Sequence, residues 1–154
     1  MGRTFVVDLE SHCRLLLSSY LRAVGKELIE LKQGESSAAA LDRAPFALLS
    51  HGAEADPVLN YGNKKALELW EADWEAFTSM PSRLTAEPML REDRDRLLME
   101  VREQGFSNGY VGVRISLSGR RFRIEETVIW NVVDEEGRFA GQAAMIPRWT
   151  ELFS

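Results

Sequence analysis

Residues 110–146 read YVGVRISLSGRRFRIEETVIWNVVDEEGRFAGQAAMI, and the alternation within them decides the fold. From Tyr110, Val111, Val113, Ile115 and Leu117 point one way while Gly112, Arg114 and Ser116 point the other, the period of a half-buried strand. A second strand carries Phe122, Ile124, Val128, Trp130 and Val132 on one face, and a third carries Phe139, Gly141, Ala143 and Met145. Turns at SLSGRR and DEEG join the three into an antiparallel meander. A two-residue and a four-residue first loop both keep apolar residues opposite apolar ones. Charge favours the longer, which sets Arg114 opposite Glu125 rather than Arg123, a difference of ~1 kcal/mol. In the second hairpin, Val133 opposite Arg138 brings Trp130 opposite Gly141, where a missing side chain makes room for the indole.

Upstream, Pro45 opens two apolar runs, PFALLSH and PVLNYGN, split by GAEAD; these read as two strands. Asn63 caps a helix through Trp70 and Asp73 another through Phe77, with Pro81 and Pro88 punctuating the next stretch. Leu90, Arg94, Leu97, Leu98 and Val101 share one face of a charged helix that ends at Gly105. Before all of this, Leu9, Cys13, Leu16, Leu17, Tyr20, Leu21, Val24, Leu28 and Leu31 recur at three- and four-residue steps. That pattern predicts one long amphipathic helix from Asp8 to about Lys32, closed by Gly34, with GESSAAALDRA as a linker. Residues 1–44 therefore read as helix and linker and residues 45–154 as the body of one structural domain. Strand, strand, helices and meander make an α+β domain with helices gathered on one face of an antiparallel sheet.

At 154 residues and 45% hydrophobic, the chain is long and apolar enough for a packed core. Its net charge of -5 opposes nucleic-acid binding, and the basic clusters Lys64–Lys65 and Arg120, Arg121 and Arg123 are short. A lone cysteine, Cys13, allows no internal disulfide, and His12 and His51 form no metal-ligand pattern. No secretory leader, membrane span or complete myristoylation signal is legible, so the expectation is a cytoplasmic protein without membrane or nucleic-acid partners. Nucleophile elbow, phosphate-cradling loop and Ser/His/Asp set are all missing from the sequence, which points away from an enzyme.

PVLNYGNKKALELW, with its Tyr61-x-Asn63 step, resembles the second strand and first helix of PAS domains, and GRRFRIEETVIWNVVDEEGRFAGQAAMI resembles their carboxy-terminal half. More specifically, SHGAEADPVLNYGN, ALELWEADWEAFTSMPSRLTAEP and GVRISLSGRRFRIE together resemble the MEKHLA family, a PAS-like group found as free-standing bacterial proteins and at the ends of plant class III homeodomain leucine-zipper factors. The resemblance runs from about Leu9 to Trp149. The six letters that name the family do not occur, and the usual PAS ending Asp-Ile-Thr is replaced by Arg148, Trp149 and Thr150, which bears on coupling to an output helix.

The resemblance implies a signal-binding or interaction module whose pocket lies between helices and sheet. Trp70, Trp74, Phe77, Trp130 and Met145 are candidates to line it for a flat apolar ligand; the alternative is that they fill the core. Strict alternation sends Glu126 into that face as a ligand anchor, unless a β-bulge turns it outward or Arg83 or His51 pairs it. Asn60 and His51 can offer hydrogen bonds to a ligand or stabilise turns. The resemblance also implies no flavin-adduct or haem cofactor, since no cysteine or histidine lies on the helix before the central strands. An unidentified partner protein, and a homodimer through the amino-terminal helix, complete the expectations; a ligand-free interaction domain is the alternative function.

Overall fold

Asn63 anchors the fold. Its side chain is fully buried, and Oδ1 accepts from the amides of Leu48 and Ala66 at 3.0 Å each. Its Nδ2 donates to the carbonyls of Leu41 at 2.8 Å and Phe46 at 3.0 Å. One amide thus caps a helix as the sequence reading expects, and also ties together three other points of the chain. The computed structural model describes residues 2–86 and 91–152; Pro88 and Leu90 lie outside the described residues.

The described elements are α1 (Gly2–Val24), α2 (Ser37–Asp42), β1 (Ala47–His51), β2 (Leu59–Gly62), α3 (Lys64–Trp70), α4 (Trp74–Phe77), a 3-10 turn (Ser82–Thr85), α5 (Arg91–Gln104), β3 (Phe106–Ile115), β4 (Arg121–Val133), β5 (Phe139–Ile146) and β6 (Arg148–Leu152). The sheet runs β2-β1-β5-β4-β3, with β6 also pairing with β4. In place of the PAS ending Asp-Ile-Thr, the chain continues into this short strand, Trp149 opposite Ile124.

Two apolar layers sandwich the sheet. On one side Trp70, Leu69, Phe77 and Met80 pack against Leu49, Phe122, Ile124 and Ile146. Trp70 meets Phe122 edge-on at 5.2 Å, and its indole Nε1 donates to the carbonyl of Thr85 at 3.3 Å. On the other side Cys13, Leu16 and Tyr20 of α1 cover Leu48, Val128, Trp130, Val132 and Ala143. Tyr20 stands edge-on to Trp130 at 4.8 Å, and the Ser19 hydroxyl bridges both backbone groups of Val133 at 3.0 Å. The body helices do lie on one face, as expected, while the opposite face is closed by α1.

α1 differs from the expected span. It begins at Gly2 and stops at Val24, where Gly25 takes φ 90 and its amide returns to the Leu21 carbonyl at 2.9 Å. Leu28 and Ile29 continue the apolar pattern as a returning segment packed beside α1, not as helix. The expected linker contains α2, because Ser36 caps a run of good helix formers and the Glu10 carboxylate accepts from the amides of Ser37 and Ala38.

Both hairpin registers also differ from expectation. Each closes with a three-residue loop whose last residue is a left-handed glycine, Gly119 at φ 89 and Gly137 at φ 84. The odd loop length sets Arg114 opposite Phe122, and neither Glu125 nor Arg123. Gly141 faces Val132 rather than Trp130. What excludes a side chain at Gly141 is the strand on its other flank: a Cβ there collides with the carbonyl of His51. As a consequence of the first register β3 turns apolar residues outward, leaving Val111 55% and the adjoining Leu117 53% exposed.

The facing of β4 departs from strict alternation at Glu126. This residue sits at φ 52, a one-residue bulge, so Phe122 and Ile124 look toward the body helices whereas Val128, Trp130 and Val132 look toward α1. The Glu126 side chain is 62% exposed and meets Arg148 Nε at 3.0 Å. Neither buried pairing is made: Arg83 instead pairs with Asp56 at 3.2 Å.

Candidate functional site

Between the sheet and the body helices lies a cavity of about 140 Å³. Its floor is the sheet: Leu49 of β1, Leu59 of β2, Ile124 and Ile129 of β4, and Ala144 and Ile146 of β5. Its roof is Ser82 and Thr85 of the 3-10 turn and Leu97 of α5. The 3-10 turn is held down by Pro57 and Met80, whose carbonyls accept from the amides of Ser82 and Leu59 at 2.8 and 3.0 Å, and by the Thr85 hydroxyl, which donates to the Ser82 carbonyl at 2.7 Å.

Polar groups stand at its two ends, His51 and Gln142 paired at one and Arg114 at the other. Gln142 donates to Asn131 Oδ1 at 3.3 Å, and the His51 ring lies 2.8 Å from the Gly52 carbonyl through Nδ1. Arg114 is half-buried at the edge, with its guanidinium carbon 5.4 Å above the Tyr110 ring. Among the described residues it has no carboxylate within ion-pair distance. The odd-length β3–β4 loop is what brings it here: the register expected from sequence would have placed it on the outer surface beside Glu125.

The residues singled out in the sequence are distributed differently. Trp70 and Phe77 are fully buried on the cavity's side of the sheet but belong to the packed core beside it. Trp130 and Met145 lie on the opposite face, under α1. Trp74 is half-buried beside Tyr61, ring centroids 5.9 Å apart. Asn60 occupies an irregular position of β2 and accepts from the Ser50 hydroxyl at 2.5 Å; that hydroxyl also meets His12 Nε2 at 2.9 Å beneath α1. Glu126 is on the surface. The structure does not bring these seven together, and none of them lines the cavity, whereas His51 does. Arg114 and Gln142 escape a reading of the sequence because their facing depends on loop length and on the bulge, neither of which alternation reveals.

Titratable groups under α1 are perturbed by burial. Desolvation pushes the Cys13 thiol up to about 12 and raises the Tyr61 phenol as well, so Cys13 is a packed apolar residue rather than a nucleophile. Burial also lowers the His12 pKa, because desolvation disfavours the charged ring. Among the described residues no cluster of His, Cys, Asp or Glu is arranged to hold a metal ion, and no helix is long and apolar enough to cross a membrane.

A five-stranded path in the order β2-β1-β5-β4-β3, with helices inserted between β2 and β3, is built by residues 10–151, and the sequence pattern of those residues matches the MEKHLA domain. The chain belongs to the MEKHLA domain family. This MEKHLA domain is similar to Homeobox-leucine zipper protein HOX29 of Oryza sativa subsp. indica, 30% identical over 144 residues, which are 90% of this chain and 17% of that protein. It is similar also to HOX29 of subsp. japonica, 30% identical over 128 residues, 80% of this chain and 15% of that protein. The chain thus spans about a sixth of the length of these relatives. Among solved structures, a PAS domain from Colwellia psychrerythraea superimposes with a TM-score of 0.60 at 18% identity, covering 71% of this chain and 90% of that one. A light-oxygen-voltage domain, from work on its mechanism with a flavin analogue, gives 0.57 at 15% identity over 76% and 84% of the two chains. The MEKHLA domain therefore has a PAS-like fold.

Proposed function

We propose that this MEKHLA domain is a sensory module that takes a small, largely apolar molecule into the cavity and relays its presence to a partner protein through α1. The observation that carries this is the cavity's position. Its floor is a single sheet, and the same strands that present Ile129 and Ala144 to the cavity present Trp130 and Ala143 to α1. A guest that moves β4 or β5 by a fraction of an ångström acts on both sides, and a packed interface responds by shifting between discrete arrangements.

Flavin, suggested by the light-oxygen-voltage neighbour, has less support: Cys13 is on the far face of the sheet, and the cavity is well below the ~300 Å³ usual for larger ligands. Native mass spectrometry of freshly purified protein, compared with its denatured mass, tests the proposal. A noncovalent adduct is expected; protein that carries none, and gains no thermal stability from a library of small apolar compounds, counts against it.

A ligand-free pairing domain is the second reading, with β3 rather than α1 as its surface. The apolar face of α1 is already buried on the sheet, whereas edge strand β3 and its loop expose Val111 and Leu117. Two copies meeting along β3 would cover that exposed apolar stripe. Sedimentation of the wild type against Val111→Glu would then show dimer reduced to monomer; identical profiles would remove this reading.

A further inference from the structure

We infer that the cavity's guest is a small carboxylate, an acid of about benzoate size whose charged end meets Arg114 and whose body fills the apolar floor. This rests on the sensory reading above and narrows it. Arg114 stands out by what it lacks. A guanidinium offers five N–H donors, and the one protein acceptor near this one, among the described residues, is the Val113 carbonyl at 3.5 Å, the far limit of a hydrogen bond. No Asp or Glu is among the described lining residues, and Arg114 is the one formal charge among them. A half-buried cation in that position is costly unless an anion joins it.

Its setting is also prepared for one. Tyr110 lies beneath the guanidinium at 5.4 Å, and such stacking holds the planar fork in one orientation while leaving its edge free. A carboxylate accepts two parallel N–H bonds from that edge, which a phosphate of similar reach would also do. The cavity decides between them. Leu49, Leu59, Ile124, Ile129 and Ile146 form an apolar floor that stabilises a hydrocarbon body and offers a compact polyanion nothing. At about 140 Å³ the space is close to the ~150 Å³ of engineered cavities that accept benzene, so a six-membered ring or a branched chain of about five carbons fills it.

Titration calorimetry and thermal unfolding of the intact chain with benzoate, its uncharged isostere benzamide, and benzene test this. Wild type is expected to bind benzoate at least about tenfold more tightly than benzamide. In Arg114→Met that preference should vanish, benzoate falling to about the affinity of benzamide. Benzamide or benzene binding as well as benzoate to the wild type would overturn the carboxylate assignment and leave the cavity reading standing. Failure of all three to bind would overturn both. Because benzoate and benzamide are compared in the wild type, the outcome is decisive even if the variant does not fold.

Discussion

At the scale of single residues, Asn63 shows how far a familiar signal can understate a role. As a helix cap alone it would contribute about 1 kcal/mol. With four hydrogen bonds inside the core, Asn63→Ala leaves several buried groups unpaired and should cost about 3 kcal/mol or more in urea denaturation. Its capping is legible in the sequence because capping is local; its links to Leu41, Phe46 and Leu48 are not, because they join segments distant along the chain. Gly141→Ala should be similarly damaging, since φ 145 disfavours any side chain and the His51 backbone occupies the space. Glu126→Gly should leave stability within about 0.5 kcal/mol, because glycine accepts φ 52 freely and the ion pair lost to Arg148 is exposed. His12 gives a pH dependence of definite sign. Its pKa in the folded protein lies below the ordinary value of 6.5, so the unfolded chain binds the proton first. The stability this ring supports is complete above 6.5 and is lost as pH falls from there toward the folded value. Urea midpoints at about pH 7.5 and about pH 5.5 should differ more in wild type than in His12→Gln.

At the scale of elements, the strands are legible and their facing is not. Alternation locates a strand reliably, but it assigns a face only when one side is polar. Here α1 covers one side and the body helices the other, so Phe122 and Ile124 read as one set with Val128, Trp130 and Val132 although the bulge at Glu126 separates them. The hairpins mislead for a related reason. Matching apolar faces admits loops of two or four residues, whereas Gly119 and Gly137 close three-residue loops with a left-handed glycine at the last position. α1 is recognisable by its period, but Leu28 and Leu31 carry that period past the true stop at Gly25. The packing of α1 makes it part of the domain rather than an appendage. Leu16→Ala should destabilise by about 3 kcal/mol, and deletion of residues 1–24 should abolish cooperative thermal unfolding by uncovering Val128, Trp130 and Val132. A clean two-state melt from the deletion would show α1 to be dispensable.

At the scale of the whole molecule, the order of elements is enough to place the fold, and residues 10–151 place the chain in the MEKHLA family. The site is less legible because a cavity is defined by what does not fill it. Large aromatic residues draw attention in the sequence, yet Trp70, Phe77 and Trp130 pack solidly, and the space opens among Leu, Ile and Ala side chains of four strands. A guest in that space stabilises the fold by mass action, about 2.7 kcal/mol at a hundredfold excess over Kd. The isoleucines provide the most direct measurement. The chain has five, of which Ile124, Ile129 and Ile146 line the cavity while Ile29 lies in the segment following α1 and Ile115 at the end of β3. In methyl-labelled protein titrated with benzoate, saturable chemical-shift changes are expected at Ile124, Ile129 and Ile146, with Ile29 and Ile115 unmoved. Shifts confined to Ile29 or Ile115, or none at all, would contradict a guest in this cavity.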